Sequence, residues 1–152
     1  CAALLPSDKP RFLMGVGSPD VLVRGVSYGV DMFDCALPTR IARNGALFTR
    51  VGRIDVATAM FKGRSDGVEA NCDCYTCVNF TLGYLHHLFK AKELLGLRLA
   101  SIQNLRFLTR LMGDIREAII AGTFAKFKVN FLSGYQTANE EARLEQRRTL
   151  LH

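Results

Sequence analysis

The sequence has 152 residues, 49% of them hydrophobic, and its 20 Lys and Arg side chains outnumber its 14 Asp and Glu side chains. This length suits one domain with an ordinary core, and the net charge of +6 is compatible with a nucleic-acid partner without establishing one. No apolar run approaches the roughly 18 to 20 residues that cross a bilayer, and residues 1–6 lack the basic region of a secretory signal. We therefore expect a soluble, cytoplasmic protein.

The first elements predict a strand, a helix and a second strand. Residues 11–17 form a short apolar run that ends in glycines. Ser18, Pro19 and Asp20 then supply the cap, the first residue and the first-turn acid of a helix that ends at Gly29. The second strand covers residues 30–35. This order predicts a βαβ unit with parallel strands and a right-handed crossover, and the apolar strands are expected to be covered on both faces.

The rest of the chain predicts a hairpin followed by a mostly helical region. The predicted elements are hairpin strands at 46–51 and 53–57 around Gly52, a short strand at 60–62, a loop at 63–71, a helix at 78–95 that stops at Gly96, a strand at 97–102, a helix at 104–121 closed by Gly122, and a helical face at Phe124, Phe127 and Phe131. The charged residues 139–152 are expected to fray.

Asp34 lies close to the end of the second predicted strand. In a parallel α/β sheet that end faces the active site, so Asp34 is a candidate for chemistry. The alternative is an acid that caps a turn, and spacing alone favours it. Arg40 and Arg43 follow in a predicted loop after Pro38, where they either grip phosphate oxygens or are solvated surface side chains. Residues 14–17 are too short for a dinucleotide fingerprint, which excludes a nicotinamide cofactor.

Three of the five cysteines, Cys72, Cys74 and Cys77, fall within six residues. This spacing is typical of a zinc site rather than of a disulfide framework, and it indicates a reducing compartment. The alternative is three buried thiols without a metal. A closed site needs a fourth ligand, and the spacing of the three histidines, His86, His87 and His152, singles out none of them.

Three segments, residues 12–19, 30–45 and 72–77, resemble in order and spacing the tRNA-guanine transglycosylases, and among them the bacterial-type queuine tRNA-ribosyltransferases. The resemblance runs to about residue 135. It implies exchange of guanine at the anticodon wobble position of tRNA for a 7-deazaguanine precursor of queuosine. It also implies an α/β fold, an irregular (β/α)8 TIM barrel with a zinc-binding subdomain, of which this chain is the C-terminal part.

The resemblance assigns roles to individual residues. Asp34 matches the nucleophile, which attacks C1′ of the ribose and forms a covalent glycosyl-enzyme before the incoming base displaces it. Met14 and Gly15 match the base pocket. The RNA-contacting residues are Gly15, Val16, Gly17, Ser18, Pro19, Asp20 and Val21, followed by Thr39, Arg40, Ile41, Ala42 and Arg43. Ala36 is smaller than the branched residue usual in the family, which is expected to loosen the base pocket.

The resemblance also implies a structural Zn²⁺ on Cys72, Cys74 and Cys77. The family's fourth ligand is a histidine, and Gln103 stands at that place here, so we expect zinc to bind weakly or not at all. Family members are commonly homodimers, and Phe80, Tyr84 and His87 match part of that interface.

The predicted division of the chain has four parts. Residues 1–45 form a strand-helix-strand part of the barrel, 46–96 the zinc-binding insertion, 97–135 the last strand-helix part, and 136–152 a charged tail. Because a complete barrel needs about 250 residues, we expect this chain to be inactive alone. The alternative is a non-catalytic, zinc-stabilised tRNA-binding module or accessory subunit.

Overall fold

The computed structural model describes residues 4–136, which form a mixed α/β structure. The predicted tail from residue 139 onward, including His152, lies outside the described residues. In chain order the elements are β1 Phe12–Leu13, α1 Pro19–Ser27, β2 Met32–Phe33, α2 Leu37–Ala42, β3 Ala46–Thr49, β4 Gly52–Asp55, a 3-10 turn Ala59–Phe61, α3 Tyr75–Asn79, α4 Leu82–Lys90, α5 Leu94–Ile120 and α6 Phe124–Gly134. Within residues 4–136, no helix is both long and apolar enough to cross a membrane.

The parallel strand-helix-strand unit at the start of the chain is confirmed. Strand β1 pairs in parallel with β2, with Phe12 opposite Met32, and α1 lies between them in the chain. The expectation that both strands are covered on both faces is wrong for the described residues, because Phe12 is 50% exposed and Met32 is 47% exposed. Within residues 4–136 the sheet that they form has two strands, so no third strand pairs beside them there.

The antiparallel hairpin is confirmed, with Ala46 opposite Asp55 and Thr49 opposite Gly52. The third strand predicted at 60–62 is wrong. A 3-10 turn occupies Ala59–Phe61, in which the Phe61 N–H donates to the Thr58 carbonyl at 3.2 Å. This turn places the Phe61 side chain in the core, which explains why an apolar residue stands there.

The strand predicted at residues 97–102 is wrong, because helix α5 runs without a break from Leu94 to Ile120. Gly96 does not end a helix but lies in the first turn of α5, where it lets the helix approach Leu88 closely. The apparent alternation over 97–102 belongs to a longer helical stripe. The buried residues of that stripe are Gly96, Leu99, Ala100, Gln103, Asn104, Phe107, Leu111, Ile115 and Ala118.

Two further boundaries differ from the prediction. The predicted arginine loop is a six-residue helix, α2, with Pro38 in its first turn, Arg40 in its last turn and Arg43 directly after it. The predicted helix at 78–95 is divided into α3 and α4, because Phe80 adopts an extended conformation. The Thr81 side chain caps α4 by accepting the Tyr84 N–H at 3.1 Å.

The described residues bury two clusters of apolar side chains on either side of the hairpin. The first joins the hairpin to α4 and the start of α5, and its fully buried members include Leu47, Val56, Leu85 and Leu99. The second joins α1, β3 and the second half of α5 through Val23, Phe48, Phe107, Leu111 and Ile115. Strand β3 contributes to both, so the hairpin and α5 form the centre of the fold.

Candidate active site and cysteine cluster

Asp34 follows directly after β2 and is exposed. The Gly15 N–H donates to its Oδ1 at 3.0 Å, so the loop after β1 holds one oxygen of this carboxylate. Gly15 has a φ of +72°, a conformation that favours glycine, and its neighbour Met14 is largely exposed. The structure therefore brings Met14, Gly15 and Asp34 together at the carboxyl ends of two parallel strands.

The two loops that end these strands pack tightly against each other. A Cβ placed on Gly17 would lie only 2.0 Å from the Cys35 Sγ. Any residue other than glycine at position 17 must therefore push the loops apart. The Cys35 Sγ also accepts the Leu37 N–H at 3.1 Å, which fixes the thiol at the start of α2. These contacts set the distance between the Gly15 loop and Asp34.

A cavity of about 320 Å³ opens beside Asp34. Its lining is formed by Val16, Gly17, Leu22, Phe33, Asp34, Cys35, Pro38, Leu108, Thr109 and Met112. Most of these side chains are apolar, so the Asp34 carboxylate stands at the wall of an apolar recess between the two loops and α5. Such a wall can hold an organic substrate against an accessible carboxylate.

Arg40 and Arg43 are exposed, at the end of α2 and just after it. Neither forms a salt bridge with another residue in the 4–136 range. Their guanidinium groups are therefore available to anionic oxygens, the role that planar, five-donor guanidinium groups serve best. Ile41 and Ala42 point into the core instead, so the segment 39–43 has one buried and one exposed face.

Asn104 belongs to the surroundings of this site, although its sequence position gave no sign of it. Its side chain is fully buried and bonds to the carbonyl of Pro38, in α2, and to the carbonyl of Ala46 and the N–H of Phe48, in β3. The only available signal was a pair of amide residues, Gln103 and Asn104, within the apolar stripe of a helix.

The thiols of Cys72, Cys74 and Cys77 form a compact cluster, with all three Sγ atoms within 4.8 Å of one another. The Cys74 Sγ caps α3 by accepting the Cys77 N–H at 3.3 Å. Burial raises the pKa of Cys72 above its ordinary value. Burial, and then hydrogen bonds and charge from the other two cysteines, raise the pKa of Cys77 strongly. Three thiolates in one place need a cation, which is the chemistry of a metal-binding cluster.

Side chains and backbone fasten the cysteine loop to one stripe of α5. The Thr76 Oγ1 donates to the Leu99 carbonyl at 2.7 Å. Further along α5, the Arg106 guanidinium donates to both Asp73 carboxylate oxygens, at 2.8 and 2.6 Å. The Arg106 guanidinium accordingly holds the pKa of Asp73 below its usual range. These contacts do not involve a metal.

Gln103 lies between Leu99 and Arg106 on the same stripe of α5 and is fully buried. Its Nε2 donates to the Phe48 carbonyl at 2.7 Å, while its Oε1 has no hydrogen-bond partner in the described part of the chain. The three thiols fit zinc well, but a neutral carboxamide oxygen is a weak partner for that ion beside thiolates. His86 is buried with its Nδ1 2.9 Å from the Val56 carbonyl, and His87 is exposed.

Comparison with known proteins places these features in one family. A family profile described as queuine tRNA-ribosyltransferase matches residues 1–137. A queuine tRNA-ribosyltransferase of Dehalococcoides mccartyi is 52% identical over 147 residues, which cover 97% of this chain and 38% of the relative. The enzyme of Symbiobacterium thermophilum is 55% identical over 140 residues, covering 92% of this chain and 35% of the relative.

A third relative, the queuine tRNA-ribosyltransferase of Lactococcus lactis subsp. cremoris, is 53% identical over 132 residues. It is matched over 87% of this chain and 35% of its own length. The chain thus spans less than two fifths of the length of the relatives it matches. Since the family profile covers nearly all of the described residues and the identities exceed half, the chain belongs to the queuine tRNA-ribosyltransferase family.

Proposed function

We propose that this chain carries the nucleophile-bearing wall of a tRNA-guanine transglycosylase. The observation that carries the proposal is the exposed Asp34 carboxylate at the end of β2, held by the Gly15 N–H at 3.0 Å and placed beside an apolar cavity. A catalytic carboxylate needs access to its substrate and a fixed orientation, and Asp34 has both. We also propose that this chain is part of a (β/α)8 barrel with a zinc-binding subdomain, since it spans only 38% of a relative that is long enough for a complete barrel.

The proposed reaction proceeds in two displacements. An Asp34 carboxylate oxygen attacks C1′ of the wobble-position ribose, the C1′–N9 bond breaks, and guanine leaves with the bonding electrons. A 7-deazaguanine base then loses its N9 proton, which balances the proton that the departing guanine takes up, attacks C1′ from the side that guanine left and displaces the aspartate. Two inversions retain the anomeric configuration, and the carboxylate stabilises the cationic sugar of each transition state. The Gly15 N–H holds one carboxylate oxygen, which leaves the other free to attack.

The proposed RNA contacts surround this carboxylate. Arg40 and Arg43, with exposed guanidinium groups, are placed to bind phosphates of the anticodon loop. Residues 15–21 and the exposed face of residues 39–43 would contact the RNA on the two sides of Asp34, while Ile41 and Ala42 would support that face from the core. Met14 and Gly15 would line the base pocket.

The cysteine cluster is proposed as a structural metal site within a zinc-binding subdomain. Cys72, Cys74 and Cys77 would hold the Zn²⁺, which would cross-link the loop before α3. With Gln103 instead of a histidine, the ion would be held less tightly than by four strong ligands. We expect less than one tightly held zinc per chain, and a stoichiometric zinc that survives mild chelation would contradict this.

A homodimer in the cytoplasm completes the proposal. Phe80 stacks on Tyr84 with ring centroids 5.5 Å apart, and Tyr75 meets Phe80 edge-on at 5.7 Å. Tyr84, Tyr75 and His87 are all exposed. Aromatic side chains that are clustered and exposed are typical of protein interfaces, which supports this face as the dimer contact.

The test is incorporation of labelled guanine into a cognate tRNA. It uses this chain alone and a full-length chimera, in which this chain replaces the matching part of the Dehalococcoides mccartyi enzyme. We expect exchange by the chimera, none by the chain alone, and a loss of about a thousandfold or more in the chimera with Asp34→Asn. Guanine exchange that persists in the Asp34→Asn chimera would contradict the assignment of Asp34 as the nucleophile. Binding of tRNA by the chimera without any exchange would favour the accessory-module alternative.

A further inference from the structure

We infer that Asn104 is the positioning residue that holds Asp34 and the arginine-bearing helix α2 in register with the rest of the fold. This inference rests on the proposed function for the importance of Asp34. Within the described residues, Asn104 is the one buried side chain of α5 that bonds both to α2 and to β3.

The Asn104 carboxamide uses both of its donor hydrogens and its oxygen. Its Nδ2 donates to the carbonyls of Pro38 and Ala46, each at 2.9 Å, and its Oδ1 accepts the Phe48 N–H at 2.8 Å. The side chain is 0% exposed, so water does not compete for these bonds. A fully satisfied buried amide of this kind specifies one arrangement of the elements that it joins.

On β3, the Asn104 amide bonds to backbone groups that a neighbouring strand would otherwise bond to. Strand β3 pairs with β4 along one edge, and its other edge presents the backbone groups of Ala46 and Phe48. Asn104 and Gln103 take those groups, since Gln103 donates to the Phe48 carbonyl at 2.7 Å. Two consecutive side chains of α5 thus fix the register of the hairpin against the helix.

On α2, the amide supplies the support that the helix lacks locally. Helix α2 has six residues, and its N-cap residue, Ala36, offers no side-chain cap. A helix this short does not persist without tertiary contacts. Only two residues lie between Asp34 and the start of α2, and Arg40 lies within the helix. The buried Ile41 and Ala42 attach α2 to the core, and the bond from Asn104 to the Pro38 carbonyl adds the directional contact that sets where both functional side chains lie relative to α5.

The first experiment measures amide hydrogen exchange on the 152-residue chain, which requires no activity. Asn104→Leu removes the donors at nearly constant volume, and Thr49→Val is the matched control. Thr49 is also buried in β3, but its Oγ1 donates to the Gly52 carbonyl, so its hydrogen bond stays within the hairpin. We expect Asn104→Leu to speed exchange of the Arg40 and Arg43 amides by about tenfold or more, and Thr49→Val to leave them unchanged. Equal exchange in both variants would overturn the inference.

The second experiment measures covalent tRNA–protein complex formation by the chimera, per folded molecule. We expect Asn104→Leu to slow this step by about tenfold or more, because a displacement of about an ångström at a reacting group costs that much, and Thr49→Val to stay within about twofold. A variant that loses stability but forms the complex at the wild-type rate would contradict a positioning role. If the leucine variant does not fold, Asn104→Asp, which keeps the acceptor for Phe48 and lacks the amide donors, replaces it in both experiments.

Failure of the proposed function can be distinguished from failure of the positioning role of Asn104. A wild-type chimera that forms no covalent complex overturns the proposed function, while the exchange rates of the α2 amides still decide whether Asn104 holds that helix. A wild-type chimera that reacts, with an Asn104→Leu variant that reacts equally well, overturns the positioning role alone.

Discussion

The region around Asp34 and the region around the hairpin and α5 differ in how much of their apolar surface the described residues cover. In the first region, the two-stranded sheet leaves Phe12, Met14 and Met32 exposed, and the candidate nucleophile is exposed beside them. In the second region, Leu47, Val56, Leu85 and Leu99 are buried almost completely.

The two regions therefore serve different purposes, one the stability of the fold and the other the proposed reaction. The hairpin–α5 region has the buried area that stabilises a fold, while the Asp34 region has the accessible groups that a reaction needs. Substitutions in the hairpin–α5 region should therefore lower stability, and substitutions in the Asp34 region should lower binding or reaction rates.

The largest expected effect is on folding stability. Leu85→Ala should lower the free energy of unfolding by about 2 to 5 kcal/mol, because Leu85 is fully buried in the cluster between the hairpin and α4. Phe12→Ala, in the Asp34 region, should cost about 0.5 kcal/mol or less, since that side chain is half exposed. Urea unfolding of the 152-residue chain measures both. Equal losses would show that the two regions share the stability.

A second substitution strengthens the cysteine cluster. Gln103→His places an imidazole where a carboxamide now lies beside the cysteine loop, and it should raise zinc affinity by about tenfold or more. Zinc retained per chain after graded chelation gives the measurement. Gln103→Leu serves as the control, because it removes the amide without adding a ligand. An affinity that is the same for histidine and leucine at this position would place Gln103 away from the metal.

A third prediction concerns tRNA binding by the Asp34 region, which should weaken while the stability of the fold stays the same. Replacing both Arg40 and Arg43 with Ala should reduce tRNA affinity and lower the salt dependence of binding by about two phosphate contacts. The chimera is titrated with tRNA at several salt concentrations, with Arg116→Ala, an exposed arginine on α5, as the control. An unchanged unfolding curve is expected. A salt slope that does not move would show that these arginines do not touch phosphate.

The smallest expected effect concerns pH. Because Arg106 lowers the pKa of Asp73 in the folded chain, this pair stabilises the fold above the ordinary carboxyl pKa and loses that effect as the pH falls through the lowered value. Asp73→Asn should therefore cause a small loss of Tm at neutral pH and none in acid. Arg106→Gln should give the same pattern, whereas a loss that persists in acid would have another cause.

The parts of the fold that local chemistry determines could be predicted from the sequence. Ser18, Pro19 and Asp20 marked the start of α1, and the glycine between two apolar runs marked the hairpin. The strand at 97–102 was wrong because six residues are too few to distinguish alternation from one side of a helix, and only the longer stripe through Leu111 and Ile115 decides.

The candidate site divides in the same way. The three cysteines have a spacing that indicates a metal site directly, whereas Asp34 was assigned as the nucleophile through the family resemblance, because its spacing alone favoured a turn-capping acid. Helix α2 was not predicted because contacts that are distant in the chain support it: Asn104, which bonds to the Pro38 carbonyl, lies 66 residues away, and no local pattern reports such a bond. The packing of Gly17 on Cys35 was not predicted either, because it also joins residues that are distant in the chain.

That packing makes positions 17 and 35 a matched pair in volume. Since a Cβ on Gly17 would lie 2.0 Å from the Cys35 Sγ and 2.9 Å from its Cβ, even alanine at position 35 would not make room for a side chain at position 17. Natural variation at these two positions should therefore be linked, with a larger residue at one admitted only by glycine at the other. The loops that carry Gly15 and Asp34 would then evolve as one unit, although 18 residues lie between Gly15 and Asp34 in the chain.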